Sequence, residues 1–162
     1  MPAQPERWVL DTNAVLDWLV FDDVHMRAAA AALHAGHALW LHSQAMLDEL
    51  HDVLAREVVT RRVAASPDSL RQRAQAAARR HGLLQAPAPR CAWRCADADD
   101  QMFLDLARHA GASVLVTRDK ALLAFAHAAL ADGLRILRPA ELAAPGLCGG
   151  LRPAAAGAAP RQ

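Results

Sequence analysis

Two aspartates stand where short apolar segments end, and their positions predict a shared site. Asp11 comes directly after the apolar residues 8–10, and Asp119 comes two residues after the segment 113–117. Both segments have the apolar and β-forming composition of buried strands. In an open parallel sheet, ligands bind beyond the carboxyl ends of the strands. We therefore expect both carboxylates at the binding edge of such a sheet.

Two further acids lie on amphipathic helices, at the border of the apolar face. At about 100° per residue, Glu49 lies about 90° from the centre of its helix's apolar stripe, whereas Asp48 points to solvent. On a later helix, Asp100 lies about 80° from the centre of the stripe, whereas Asp105 is predicted on the solvent side. Glu49 and Asp100 are thus the helical acids that can turn into a cleft.

Four carboxylates that converge in one cleft repel one another strongly unless a cation neutralises them. Carboxylate oxygens without histidine or cysteine are ligands typical of Mg²⁺ or Mn²⁺ sites rather than zinc sites. Such a cluster supports metal-assisted hydrolysis of a phosphodiester, with one or two bound ions. The acids predicted to converge are Asp11, Glu49, Asp100 and Asp119.

Some of these acids also have purely structural interpretations. Asp119 fits the N-cap of a helix, where aspartate is favoured, and Glu49 fits a surface position. Asp97, Asp99 and Asp100 cluster at the start of one helix, where acids complement the helix dipole. Only one or two of these three are therefore expected to bind metal. Asp11 is the hardest to explain structurally, because a charge directly after an apolar strand needs a partner.

The elements that must position these acids alternate along the chain. Strands are predicted at residues 8–10, 38–42, 113–117 and 134–137, with a further strand within 83–93. Helices are predicted at residues 14–20, 23–33, 44–56 with an irregular continuation to 63, 66–82, and 97–111, and one more begins at Asp119. This alternation is typical of βαβ units and predicts an α/β fold with a parallel sheet.

Length and composition fit one domain that buries most of its apolar surface. The chain has 162 residues, of which 54% are hydrophobic and 22% charged, which excludes a disordered or fibrous chain. Residues 1–144 are predicted to form the domain, and the Gly-, Ala- and Pro-rich residues 145–162 a disordered tail. The sequence shows no membrane span and no secretory signal, and its three cysteines are too few for a disulfide framework, so we expect a cytoplasmic protein.

Charge is distributed unevenly although the net charge is only +1. Residues 1–55 hold eight acids and two arginines, whereas residues 56–94 hold nine arginines and two acids. An acidic region beside a basic one fits a metal site flanked by a phosphate-binding surface, although a solvated helical face or a partner-docking face would have the same composition. The predicted RNA contacts are Arg56, Arg61, Arg62 and Arg118.

Taken together, the motifs that carry these acids resemble the PIN-domain nuclease family. They are V-L-D-T-N at residues 9–13, S-x-x-x-L-x-E-L at 43–50, D-A-D-D-Q-M-F-L-D-L-A at 97–107, L-V-T-R-D at 115–119 and I-L-R-P-A-E-L at 136–142. The resemblance extends from Trp8 to Leu142. The third motif, followed by T-R-D-K-x-L-L, is similar to the subgroup described as toxin components of bacterial toxin–antitoxin systems.

The resemblance implies a three-layer α/β/α sandwich and a Mg²⁺- or Mn²⁺-dependent ribonuclease that acts on single-stranded RNA or on structured RNA loops. Members of the family are commonly dimers, and in the toxin members a segment of a cognate antitoxin protein covers the acidic site. The implied catalytic and metal-binding acids are Asp11, Glu49, Asp100 and Asp119, and the polar residues implied to shape the site are Asn13 and Thr117.

Three other functions fit parts of the pattern. A phosphatase with Asp11 as nucleophile would need an acid two residues later as proton donor, but residue 13 is asparagine. A phosphorylation switch of the receiver type shares the sheet architecture, but here only one acid follows the first strand. The third is an RNA- or antitoxin-binding module that has the same fold and has lost activity; the presence of all four acids argues against it.

Overall fold

A parallel five-stranded sheet forms the centre of the protein, as a computed structural model that describes residues 3–143 shows. The strands are β1 (Glu6–Leu10), β2 (Ala38–Ser43), β3 (Gly82–Gln85), β4 (Val114–Val116) and β5 (Arg135–Leu137). Their spatial order is β3-β2-β1-β4-β5, so the chain reverses its direction of winding between β1 and β4. The predicted tail at residues 145–162 lies outside the described residues.

Helices cover both faces of the sheet, which makes the fold the expected three-layer α/β/α sandwich. Between residues 3 and 143 the α-helices are α1 (Thr12–Leu19), α2 (Arg27–His34), α3 (Gln44–Leu54), α4 (Glu57–Val63), α5 (Pro67–His81), α6 (Gln101–His109), α7 (Lys120–Leu123) and α8 (Ala126–Ala131). Short 3₁₀ turns form at Val24–Met26, Ala98–Asp100 and Pro139–Ala143. None of the helices in this part of the chain has the length and apolar character needed to span a membrane.

Alternating side chains of β1 serve the two hydrophobic cores. Trp8 and Leu10 belong to the core on one face, where they meet Trp18 of α1 and Trp40 of β2. Val9 belongs to the core on the other face, which α6 and α7 help to fill. Because both faces of the central strand are buried, its sequence has a continuous apolar run instead of an alternating pattern.

The predicted elements are confirmed, with shifts at their ends. The helix predicted from residue 14 begins at Thr12, because the side chain of Asp11 caps it. The helix predicted to start at Ser66-Pro67 does so, with Ser66 as N-cap and proline in the first turn. The third strand, predicted within residues 83–93, begins at Gly82 and forms an edge of the sheet.

The prediction that Asp105 faces solvent is wrong. Its side chain is buried, and Oδ1 accepts hydrogen bonds from the Cys91 amide at 2.9 Å and from Nε2 of Gln101 at 2.8 Å. Gln101 also fastens the same segment, because its Nε2 donates to the Trp93 carbonyl and its Oε1 accepts from the Cys95 amide. The irregular segment before α6 therefore packs over a face of that helix which the helical periodicity predicted to be exposed to solvent.

The sequence predicts that His42 is a surface or edge residue rather than a metal ligand, but the structure shows it buried. It lies on β2 beside Trp40, with 4.8 Å between the ring centroids, and burial lowers the pKa of its imidazole. The ring occupies space that Gly82 leaves open at the start of β3. A Cβ at residue 82 would lie 2.6 Å from Nε2 of His42 and 2.6 Å from the backbone carbonyl oxygen of Ala78.

Substitution of Gly82→Ala should therefore destabilise the fold. Two contacts this short force either the sheet edge or the end of α5 to move, and we expect the free energy of unfolding to fall by about 1–3 kcal/mol. Urea unfolding followed by circular dichroism measures the loss. Gly133→Ala is the control for backbone strain without a close contact. A Cβ at residue 133 would meet nothing within 4 Å, and the strain there comes only from the positive φ of 78°. An unchanged midpoint for Gly82→Ala would contradict this packing.

Candidate active site

The candidate site lies where the sheet reverses its winding. β1 and β4 are hydrogen-bonded neighbours, with Leu10 opposite Val116, so their carboxyl ends meet at one edge. Asp11 follows β1 directly, and Asp119 follows β4 after two residues. In doubly wound sheets this reversal point is the usual ligand-binding position. The topology thus brings together two acids that are separated by more than half of the chain.

Asp11 is held rigidly at the start of α1. The residue is 4% exposed, and its carboxylate accepts two hydrogen bonds, to Oδ1 from the Ala14 amide at 2.7 Å and to Oδ2 from the Thr117 hydroxyl at 2.5 Å. Burial raises the pKa of Asp11 to about 6, against the lowering effect of these two hydrogen bonds. The carboxylate is therefore preorganised, and it retains negative charge at neutral pH despite its burial.

Thr117 links the two strand-end aspartates. Its hydroxyl donates to Asp11 and accepts from the backbone amide of Asp119 at 2.9 Å. Asp119 in turn caps α7, since its Oδ1 accepts from the Ala121 amide at 2.7 Å. The structural role considered for Asp119 is therefore real, and it coexists with a position beside the other acids.

Two more acids form a tight cluster with Asp119 at this edge. Asp97, Asp100 and Asp119 each offer a carboxylate oxygen, and these three atoms lie within 4.8 Å of one another. Burial, followed by the charges of Asp119, Asp97 and Asp11, raises the pKa of Asp100 to about 7. Among the described residues, the buried Oδ2 of Asp100 has no hydrogen-bond partner. An oxygen in this situation, surrounded by like charges, is suited to a cation ligand.

Glu49 faces the cluster from the other side of the cleft. It lies on α3, and its Oε2 accepts a hydrogen bond from the Thr12 hydroxyl at 2.9 Å. Four acids from four separate parts of the chain line one cavity of about 170 Å³, together with Thr12, Asn13, Val53, Arg56 and Phe103; the acids are Asp11, Glu49, Asp100 and Asp119. The structure therefore brings all four predicted acids to one place.

The donor atoms of the cavity suit a hard divalent cation. Four carboxylates are joined by the side-chain oxygens of Thr12 and Asn13, with no histidine or cysteine among the residues that line the cavity, and this all-oxygen composition fits Mg²⁺ or Mn²⁺ better than zinc. Asp97 adds a carboxylate that the sequence left undecided against Asp99. Asp99 lies outside the cluster, and its backbone amide donates to Asp97. The D-x-D-D motif at residues 97–100 indicated that one of these acids joins Asp100, but its spacing alone did not distinguish Asp97 from Asp99.

The other predicted site residues lie in different surroundings. Thr117 is fully buried beneath the acids, and Asn13 is exposed at the mouth of the cavity. Arg56 lines the cavity. The remaining three predicted RNA contacts have partners within the chain: Arg61 with Glu57, Arg62 with the Phe21 ring and Arg118 with Asp17 and Asp23.

Arg118 anchors the turn between the two site residues that flank it. Its guanidinium lies 3.0 Å from a carboxylate oxygen of Asp17 and 3.0 Å from one of Asp23. Asp17 is almost buried, and burial raises the pKa of its carboxyl, so the ion pair offsets part of a costly charge. The turn from Thr117 to Asp119 is thus held in two ways, by the ion pairs of Arg118 with Asp17 and Asp23 and by the hydrogen bonds of the Thr117 hydroxyl.

Comparison with known proteins identifies one family. A family model described as PIN domain matches residues 7–121, which include all four acids that line the cavity. No curated protein matches the chain.

The raised carboxyl pKa values predict that acidification stabilises the metal-free protein. Asp11 and Asp100 titrate near pH 6 and 7 in the native state, instead of near 3.8 as in an unfolded chain. The native state therefore binds more protons within this window, and the free energy of unfolding decreases as the pH rises through it. In EDTA we expect the thermal midpoint to fall by about 5 °C between pH 5 and pH 8, measured by scanning calorimetry.

Asp100→Asn should flatten this dependence and raise the midpoint at pH 8, because it removes one of the repelling charges. Asp48→Asn, which removes an exposed acid, should keep the slope of the native protein. Mn²⁺ should raise the midpoint of the native protein at pH 8 and should raise that of Asp100→Asn much less. A slope that is the same in all three proteins would refute the assignment of repulsion to this cluster.

Proposed function

The chain belongs to the PIN-domain family, and on that premise we propose that it is a Mg²⁺- or Mn²⁺-dependent endoribonuclease, the toxin of a toxin–antitoxin pair. The fold is that of a nuclease family, and the acidic cluster lies at the edge of the sheet where this fold binds ligands. The observation that carries the proposal is the convergence of Asp11, Glu49, Asp100 and Asp119 on one small cavity.

The catalytic contribution of the chain is the placement of negative charge. Asp11 is fixed by two hydrogen bonds, and Glu49 by one, so their positions cost little to maintain when substrate arrives. Asp100 and Asp97 supply the oxygens whose repulsion a cation would relieve. Asp97, Asp100 and Asp119 would hold a divalent cation, which would lower the pKa of the attacking water and stabilise the charge on the leaving oxygen of a phosphodiester.

Arginines on one side of the cavity support RNA as the substrate. Arg56 lines the cavity just before α4, and Arg61 and Arg62 are exposed in the last turn of that helix. A phosphate chain that enters the acidic cavity needs positive charge beside it to offset repulsion from the carboxylates. The ion pair of Arg61 with Glu57 is at the surface, where exchange of the carboxylate partner for a phosphate has a small energetic cost.

The toxin assignment rests on the sequence around the cluster. Residues 97–107 and 117–123 resemble the toxin subgroup of the family, as described above. The proposed partner is an antitoxin protein that covers the cavity, and a basic side chain from it would be attracted by the same carboxylates that hold the cation. A homodimer and a cytoplasmic location belong to the same proposal.

RNA cleavage by purified variants tests the nuclease assignment. In Mn²⁺ we expect the native protein to cleave end-labelled single-stranded RNA, and Asp11→Asn and Asp119→Asn to be slower by about 100-fold or more, since several kcal/mol of charge stabilisation are lost. EDTA should abolish cleavage. Asp48→Asn is the matched control, because it removes one acid from the exposed side of α3 and should retain full activity.

The possible outcomes separate the alternatives. Cleavage that persists in Asp11→Asn would mean that the site is elsewhere. RNA that binds without being cleaved, over a panel of single strands and stem-loops, would favour the inactive binding module.

Growth of bacteria tests the toxin assignment independently. Induced expression of the native chain should arrest growth, because unregulated RNA cleavage stops protein synthesis, and Asp11→Asn should be tolerated at equal protein level. Colony counts after induction measure the effect, with an immunoblot to equalise expression. Normal growth with an active nuclease would leave the enzyme assignment in place and rule out the toxin.

A further inference from the structure

A second cavity lies at the opposite edge of the sheet from the acidic site. It is formed where three helices end: α1 at Leu19, α2 at His34 and α5 at His81. His81 directly precedes β3, and α2 leads into β2, so the cavity lies at the amino ends of these strands. None of its lining residues is shared with the acidic cavity.

The floor of this cavity is apolar and aromatic. It is formed by Trp18, Leu19 and the two alanines Ala76 and Ala77 of α5. Trp18 is fixed by an edge-on contact with Trp40, with 5.8 Å between ring centroids. A floor of this composition favours a flat apolar group over a hydrated ion.

The rim of the cavity is cationic. Arg73, Arg79 and Arg80 project from α5, and His34 and His81 meet edge to face with 4.7 Å between their ring centroids. No carboxylate is among the described residues that line the cavity. Within residues 3–143, none of the three arginines forms an ion pair. The charge of the rim is therefore available to a ligand.

The helix ends explain only part of this positive charge. Carboxyl ends of helices carry partial negative charge, which basic residues commonly offset. Arg73 has this role, since its guanidinium donates to the Leu19 carbonyl at 3.0 Å. His81 is nearly neutral at pH 7, because burial and the neighbouring His34 and Arg80 lower its pKa. Arg79 and Arg80 lie in the last turn of α5, and their two full charges exceed the partial negative charge of about one half at that helix end.

We propose that this cavity binds a nucleotide, with the phosphate on Arg79 and Arg80 and the base over the apolar floor. Guanidinium groups match the geometry of phosphate oxygens, and a flat base needs an apolar surface with aromatic edges. The cavity volume of about 510 Å³ is within the range of small-molecule sites. The nucleotide is either free or part of an RNA chain that extends around the protein, and both sources offer the same chemistry.

Calorimetric titration with adenosine monophosphate tests this site. The buffer contains EDTA, so that no cation bridges the ligand to the acidic cavity. We expect one binding site, with adenosine and inorganic phosphate each binding about tenfold or more weakly than the nucleotide, because each lacks one half of the interaction. The Asp11→Asn variant should bind the nucleotide like the native protein, so failure of the nuclease assignment would not affect this result.

Variants of the rim and floor locate the binding. The double substitution Arg79→Gln with Arg80→Gln should weaken nucleotide binding by about tenfold or more. Ala76→Glu, which places a carboxylate in the cavity, should weaken it comparably while leaving both arginines intact. The matched control is Arg27→Gln with Arg138→Gln, which removes two exposed charges from outside both cavities and should leave affinity unchanged.

Competition distinguishes the two sources of the nucleotide. A ten-nucleotide RNA, left intact in EDTA, should displace the nucleotide if the cavity holds an RNA chain; a free nucleotide is the ligand if it does not. The proposal is overturned if the nucleotide does not bind, if inorganic phosphate or a glutamate-rich peptide binds as tightly, or if the rim variants and the control bind alike.

Discussion

The hydroxyl of Thr117 connects the two aspartates on which the rest of the site depends, through the carboxylate of Asp11 and the backbone amide of Asp119. It donates to Asp11 and accepts from the amide of Asp119, so the ends of β1 and β4 are joined by one side chain in addition to the strand ladder. This arrangement fixes the start of α1, which Asp11 caps, and the start of α7, which Asp119 caps. The position of every other acid is set relative to this pair.

Bringing these acids together has a cost that the fold accepts. Asp11 and Asp100 have raised pKa values because they are buried and surrounded by like charges, and each is less stable as an anion here than in water. The neighbouring elements are well packed, with Phe103 and Leu104 of α6 almost completely buried under the sheet. Close packing around this repulsive cluster holds the carboxylates together, so the free energy of unfolding is lowered at the site where the proposed nuclease function needs their charges.

The sequence predicted what depends on chain-local rules and missed what depends on packing between distant segments. The common position of Asp11 and Asp119 was predictable because parallel strands place their carboxyl ends at one edge of the sheet. Glu49 and Asp100 could be predicted to face the same cleft because helix geometry separates them from their acidic neighbours. The same helix geometry gave a wrong prediction for the burial of Asp105, since the irregular segment that buries it has no periodicity to interpret. His42 was misjudged for a related reason, because the space it fills exists only where Gly82 of a distant strand lies against β2.

The polarity of α1 matches the charges at its two ends. Asp11 is the N-cap of α1, where the positive end of the helix stabilises its carboxylate. At the other end of α1, the guanidinium of Arg73 donates to the Leu19 carbonyl and offsets the partial negative charge there. Part of the basic region, Arg73, Arg79 and Arg80 of α5, lies at the opposite edge of the sheet from the acidic cavity. Arg56 departs from this pattern, because it is the N-cap of α4 and lines the acidic cavity, where helix polarity does not favour a cation. Arg61 and Arg62 follow the pattern, since they lie in the last turn of that helix. A polyanion that must pass the carboxylates explains the position of Arg56, and this exception supports a nucleic-acid substrate.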